Sequence, residues 1–222
     1  RRQRQMCIRD RSKIMTKKAF ENAVVVASAI GGSSNATTHL LAIAKHMGIK
    51  FDLSNWQKLG HKIPLLVDCQ PAGKYLMEGF YKAGGIPAVM KELIKNKKLN
   101  TKVKTVTGKN LGQNLKKKIK VNSKVIKTFK KNLSKNAGFL VLRGNFFNSA
   151  IMKTSVISDE FKKRYLSDPD RPNSFICKAV VFEGPDDYHK RINSKKLNID
   201  EKSILIIRGC GPIGYPGSAE VV

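Results

Sequence analysis

The sequence predicts a mixed helix-and-strand (α/β) protein laid out in two consecutive parts. Residues 14–133 carry apolar residues at helical spacing, punctuated by capping residues and glycines. Residues 137–222 instead carry four short β-rich runs separated by turn residues. The grammar changes near Ser134 to Gly138, where a domain boundary is expected. The expected organisation is a lead at 1–13, a helix-rich part at 14–135 and a β-rich part at 136–222. A hydrophobic share of 41% in 222 residues is enough for a packed core.

Each element has a local reason. Thr16 is a candidate N-cap for the helix "KKAFENAVVVASAI", and Gly31-Gly32 ends it. Ser33, Ser34 or Asn35 caps a second helix through "ATTHLLAIAKHMG", which closes at Gly48. "DLSNWQKLGHKI" predicts a short helix capped by Asp52 or Ser54, and "PLLVD" (64–68) a short buried strand. Two helices follow, broken at Gly84-Gly85, the second with Pro87 in its first turn. "LKKKIKVNSKVIKTFKKNL" has eight lysines between Lys116 and Lys131. With Leu115, Ile119, Ile126, Phe129 and Leu133 near helical spacing, it predicts an amphipathic helix with a charged outer face. The strand runs are "GFLVLRGN", "AIMKTSVI", "CKAVVFEG" and "KSILIIRG", interrupted by one predicted helix, "GPDDYHKRINS".

Composition removes several classes. No run approaches the roughly 20 apolar residues of a membrane span, and no secretory signal is visible, so a cytoplasmic protein without membrane contact is expected. Cys7, Cys69, Cys177 and Cys210 lie far apart without CxxC spacing and read as reduced thiols. The net charge of +27 invites a nucleic-acid reading. The lead "RRQRQMCIRDRSK" supplies +5 of it, has no core pattern, and reads as a non-native segment. Past it only five arginines occur, and the remaining charge is spread lysine. Arginine forks and stacking aromatics of a specific nucleic-acid site are missing from the pattern.

Three motifs carry possible chemistry. Gly209, Gly211 and Gly214 form G-x-G-x-x-G after an apolar strand, but Pro212 and Pro216 block the following helix, and no βαβ unit is expected around it. His39, His46, His61 and His189 have no metal spacing and read as helix-surface or capping residues. "GGSSN" places backbone N–H groups and hydroxyls at the start of a helix. It reads either as a plain capped start or as a site for a substrate carboxylate.

Six blocks taken together carry a resemblance: "AFENAVVVASAIGGSSNATTHLLAIAKHMGI", "PLLVDCQPAGKYLMEGFYKAGGIPAVMKEL", "TVTGKNLGQNL", "VLRGN", "KAVVFEGPDDYHKRI" and "CGPIGYPGSAE". In order and spacing they resemble the dihydroxy-acid dehydratase / phosphogluconate dehydratase family from Ile14 to Val222. The style of the last forty residues resembles its aldonic-acid branch, typified by pentonate dehydratases. The resemblance implies the end of an α/β catalytic domain at 14–135 and the first part of a β-barrel-like swivelling domain at 136–222. The chain then reads as a truncated internal piece.

The implied reaction is dehydration of a 2,3-dihydroxy carboxylate or aldonic acid to a 2-keto(-3-deoxy) acid. An iron–sulfur cluster acts on the departing hydroxyl, Mg2+ holds the carboxylate and 2-hydroxyl, and a serine alkoxide takes the C2 proton. By the same resemblance the cluster cysteines and most magnesium ligands lie upstream and the serine downstream. No catalytic residue or cluster ligand is therefore expected here. Glu220 matches the family's magnesium glutamate, and Ser33, Ser34 and Asn35 are the candidate substrate-binding residues. The turn departs from the family pattern at Ser218 and Ala219. The expected partners are a small hydroxy-acid substrate and further copies of the chain in a dimer or tetramer. The alternatives are a dihydroxy-acid dehydratase of branched-chain amino-acid biosynthesis, a non-enzymatic basic RNA- or DNA-binding protein, and a degenerate scaffold paralogue.

Overall fold

A computed structural model describes residues 10–146 and 150–210. It is a mixed helix-and-sheet protein that divides into two compact units, Arg1–Val156 and Ile157–Val222.

In the first unit α1 (Arg11–Ile14) is one turn, capped by the Asp10 carboxylate. The longest helix, α2 (Lys17–Ala29), starts after Thr16 and turns Phe20, Val24, Val25 and Ala29 inward. Three consecutive valines cost a helix roughly 0.5 kcal/mol each in propensity. Burial outweighs that, at about 1.5–3 kcal/mol for each covered side chain. Val24 packs with Trp56 and Phe139, whereas Val25 belongs to a larger cluster with Ile63, Leu66, Val67, Phe80, Val89 and Leu93. The helix is thus wedged between two apolar clusters. Asn22, also buried, exchanges two hydrogen bonds with the Asn100 backbone, at 3.0 and 2.8 Å.

After α3 (Asn35–His46), α4 (Leu53–Gly60) opens on a reciprocal capping box between Asp52 and Asn55. It crosses α2 so closely that a Cβ on Gly60 would lie 2.5 Å from Ser28 Oγ. Residues 63–69 then run extended through the core. Leu66 N donates to Ala29 O (2.8 Å), Asp68 N to Val125 O (2.9 Å), and Leu65 exchanges bonds with Ser134 and Leu133. The predicted strand 64–68 is therefore buried and extended. Its pairing is by the isolated bridges Leu65↔Ser134 and Val67↔Ile126 rather than by a continuous ladder. Its partner segment is irregular, and Pro64 has no N–H to give.

That partner overturns one expectation. Following α5 (Met77–Lys82), α6 (Gly85–Lys95) and α7 (Leu111–Asn114), residues 115–138 form no helix. They are a strap whose backbone bonds outward to the core. Lys127 N donates to Leu66 O (2.7 Å), Asn122 N to Ala83 O (3.1 Å), and Phe129 N to the Glu92 carboxylate (2.9 Å). A helix would have stacked like charges three and four residues apart and left the 63–69 edge unpaired. Val125 and Ile126 bury instead, and the lysines point out.

The antiparallel hairpin β1 (Phe139–Leu142) and β2 (Ala150–Lys153) completes the unit, Phe139 meeting Trp56 edge-on at 5.3 Å. Gly138 leads into it against α4: a Cβ there would be 1.8 Å from the Gly60 carbonyl oxygen.

The second unit holds a helix that the sequence reading lacked. It is α8 (Asp159–Tyr165), with Ser158 Oγ accepting from Phe161 N at 3.1 Å, acids in its first turn and bases in its last. Then come β3 (Lys178–Phe182), α9 (Pro185–Arg191) and β4 (Ser203–Ile207). β3 and β4 pair in parallel, Val180 opposite Leu205, so β3–α9–β4 is a βαβ crossover. This corrects the expectation that no such unit would be present. The crossover precedes the G-x-G-x-x-G stretch, however, whereas a dinucleotide fingerprint sits between the first strand and the helix. Gly211, Pro212, Gly214 and Pro216 lie outside the described residues.

Candidate functional site

The site begins where α2 stops. Gly32 N donates to Ala27 O (2.8 Å) and Gly31 N to Ser28 O (3.1 Å), closing the helix end. Gly31 has φ +66°, and a Cβ on it would press to 2.9 Å from Leu65 Cδ1, so both the backbone angle and the close approach require glycine. The turn therefore lies flat on the 63–69 segment and passes directly into α3. Ser34 is the N-cap residue of α3, and Ser33 Oγ accepts from Asn35 N at 3.2 Å.

Facing this turn, Asp68 ties back a second loop. Its carboxylate accepts from Lys74 N (2.7 Å), and Gln70 N donates to Tyr75 O (2.8 Å). The two loops enclose a cleft of about 540 Å³. Gly31–Ser34 form one wall, Val67, Cys69, Gln70 and Pro71 another, and Met77 and Phe80 of α5 with Lys153 and Val156 the remaining sides. The structure thus brings Ser33 and Ser34 to one wall. Asn35 sits on the first turn of α3 and does not line the cleft. Glu220 lies outside the described residues, as does Cys7.

Lys153 is the one charged side chain among the described residues lining this cleft, and the sequence does not single it out. It closes β2, directly across from Phe139, and shares a face with Ile151, which packs on the Trp56 cluster. Period-two alternation from Ile151 is the signal that was available. Burial lowers the pKa of its amine from the usual lysine value.

A broader hollow of about 1030 Å³ lies along Leu41–Ser54 and Arg143. Its carboxylate, Asp52, is already committed to the cap of α4, and it brings in none of the serines. The 540 Å³ cleft is the more closed of the two and falls within the size range of small-ligand sites.

Among the described residues no three His, Cys, Asp or Glu side chains converge as metal ligands. Cys69, Cys177 and Cys210 are free thiols, and Cys69 belongs to the core. The described residues alone do not fit an iron–sulfur cluster or a magnesium ion. No helix among them is long and apolar enough to cross a membrane.

A glycine-based cleft with hydroxyls on one wall and an ammonium on another is a candidate site for a small ligand on a helix-and-sheet scaffold. The N-terminal profile of the dihydroxy-acid/6-phosphogluconate dehydratases matches residues 2–114, and the C-terminal profile matches residues 124–222. The chain belongs to the dihydroxy-acid/6-phosphogluconate dehydratase family. It is 53% identical over 209 residues to a D-xylonate dehydratase of Caulobacter vibrioides, covering 94% of this chain and 35% of that protein. It is 43% identical over 213 residues to an L-arabinonate dehydratase of Rhizobium leguminosarum, covering 95% and 34%. A dihydroxy-acid dehydratase of Lactococcus lactis is 36% identical over 215 residues, with 95% and 35% covered. The chain spans about a third of the length of these curated relatives.

Proposed function

We propose that this chain is part of a hydro-lyase that dehydrates an aldonic acid, a 2,3-dihydroxy carboxylate, to a 2-keto-3-deoxy acid. The observation that carries the reading is the cleft at Gly31–Ser34, large enough for a five-carbon acid and lined by no carboxylate among the described residues. Ser33 and Ser34 would hold the acid by hydroxyl and backbone donors at the start of α3, with Asn35 contributing through that first turn. The order of identities favours a pentonate over a branched-chain dihydroxy acid.

The remaining parts of the reading rest on family membership. The parent enzyme would use an iron–sulfur cluster and Mg2+, with Glu220 as one magnesium ligand. The division into a catalytic part at 14–135 and a swivelling, barrel-like part beginning at 136 is supported by profile matches that fall on either side of residues 115–123. Assembly as a dimer or tetramer in the cytoplasm belongs to the same proposal. So does the absence of sequence-specific nucleic-acid binding, because the net charge is mostly spread lysine.

The test is an anaerobic assay of the full-length polypeptide carrying this sequence, reconstituted with iron, sulfide and Mg2+. D-xylonate and L-arabinonate should yield 2-keto acid faster than a branched 2,3-dihydroxy acid or 6-phosphogluconate. The 222-residue chain alone should give none. Absence of product from every acid with the full-length protein would end the reading. In that protein, Glu220→Gln should cut activity severely at limiting Mg2+ while leaving the thermal midpoint in place.

A further inference from the structure

We propose that Lys153 is the cation of an anion-binding cleft walled by Gly31–Ser34 and by Val67, Cys69, Gln70 and Pro71, and that it pairs with one oxygen of the carboxylate of a small hydroxy acid. The identity of the acid rests on the functional reading above; the anion site does not.

Four observations converge on it. First, Lys153 is on the inward face of its hairpin. Its cross-strand partner is Phe139, 1% exposed, and its same-face neighbour Ile151 packs on the Trp56 cluster.

Second, its amine makes no hydrogen bond or ion pair among the described residues, and no Asp or Glu lines the cleft. Other lysines near protein acceptors behave differently. Lys82 pairs with Glu78, Lys162 with Asp159, and Lys178 Nζ donates to two backbone carbonyls.

Third, burial lowers the pKa of the Lys153 amine, so a half-buried cation stands without a compensating charge among the described residues. An entering carboxylate removes that cost. Fourth, the groups across the cleft accept or donate without charge: the Ser33 and Ser34 hydroxyls line it, and Ser155 Oγ is buried beside Gly31 with no hydrogen-bond partner among the described residues.

One cation with neutral partners suits a monoanion. A phosphate dianion is met by clustered Arg or Lys, and among the described residues no second basic side chain lines this cleft.

The experiment uses the full-length polypeptide as wild type, Lys153→Met and Lys153→Arg. D-xylonate and its neutral analogue xylitol are titrated by calorimetry, and 2-keto acid formation is followed on the same preparations. Lys153→Met should weaken D-xylonate binding and raise KM by about tenfold or more, the worth of one charge-assisted hydrogen bond. It should leave xylitol binding unaffected and lower kcat by less than about threefold. Its thermal midpoint should hold or rise, because an uncompensated buried charge is removed. Lys153→Arg should recover most of the affinity.

Wild-type affinity for D-xylonate in Lys153→Met overturns the proposal. So does a lost affinity accompanied by a fallen thermal midpoint and no rescue by arginine, which marks a structural role. If the wild type binds D-xylonate through Lys153 but makes no 2-keto acid, the anion site stands and the dehydratase reading falls. Product formed equally by Lys153→Met gives the reverse.

Discussion

The two compact units treat their apolar residues differently. In the first, Val24, Trp56, Leu66, Val67, Val89 and Leu93 are all fully buried. In the second, Phe182 is buried under Tyr188 and Arg191, yet Val181, Ile204 and Leu205 on the same strand pair stay 40–46% exposed. The difference follows from pattern. β4 reads Ser-Ile-Leu-Ile-Ile, without alternation, as strands do when both faces of a parallel sheet are to be covered. Among the described residues only one face of β3–β4 carries a helix. A closed core and a half-covered sheet therefore stand in one chain, and mutations should separate them.

The largest effect is expected where the closed core is densest. Trp56→Ala empties the contact with Val24 and Phe139 and should cost about 4 kcal/mol in denaturant unfolding. A loss under about 1 kcal/mol would mean that the first unit is no better covered than the second. Gly138→Ala comes next. Its methyl group would meet the Gly60 carbonyl oxygen, which belongs to backbone and cannot rotate away, so about 3 kcal/mol should be lost.

Asp52→Ala should remove about 1 kcal/mol by uncapping α4. The Asp52 carboxyl is held below its usual pKa, first by the hydrogen bond from Ser54 Oγ and then by the Asn55 N–H. Its folded pKa is thus below the unfolded one. That contribution is complete above about pH 4 and is lost as pH falls further. Asp52→Asn keeps the cap and should flatten the acid limb of a stability–pH profile. An unchanged acid limb would exclude Asp52 as its source.

The smallest effect is reserved for the half-covered sheet. Ile204→Thr, on the face that Val181 shares and the helix leaves open, should shift stability of the 222-residue chain by less than about 0.5 kcal/mol, as an exposed site does. The same substitution in the full-length polypeptide should cost more than about 1 kcal/mol if this face acquires a cover there. Equal small effects in both would remove the distinction between the units.

What the sequence made legible depended on whether local signals agreed. Asp52 with Asn55, and the Gly84-Gly85 break with Pro87 behind it, combine a cap with an apolar face, and those helices begin as expected. The four strands also lie where the β-rich runs do. In residues 115–133 the apolar spacing pointed to a helix, but the backbone groups of 63–69 needed partners, and that need is not written in the strap itself. Asp159–Tyr165 was hidden for the opposite reason: its capping serine and charge order favour a helix, but it has almost no apolar stripe. Parallel pairing of Val180 with Leu205 depends on a crossover, which local pattern does not encode. The same holds at the site. The glycine–serine turn stands out along the chain, but Lys153 reaches it only through the hairpin, a placement that local pattern does not encode.

The lysine strap also sets how this chain is digested. Lys116, Lys117, Lys118, Lys120 and Lys124 are exposed on backbone without a helical ladder, an open target for trypsin, which needs an extended segment to cut. Lys127 is half-buried, and its amide is tied to Leu66. Nicking should therefore begin between Lys116 and Lys124, ahead of the tied segment at Ile126 and Lys127. A cut there severs the strap from α7, and only if the new end peels back past Lys127 are Leu66 and Val67 laid bare, so the nicked unit should hold its core until that peeling occurs.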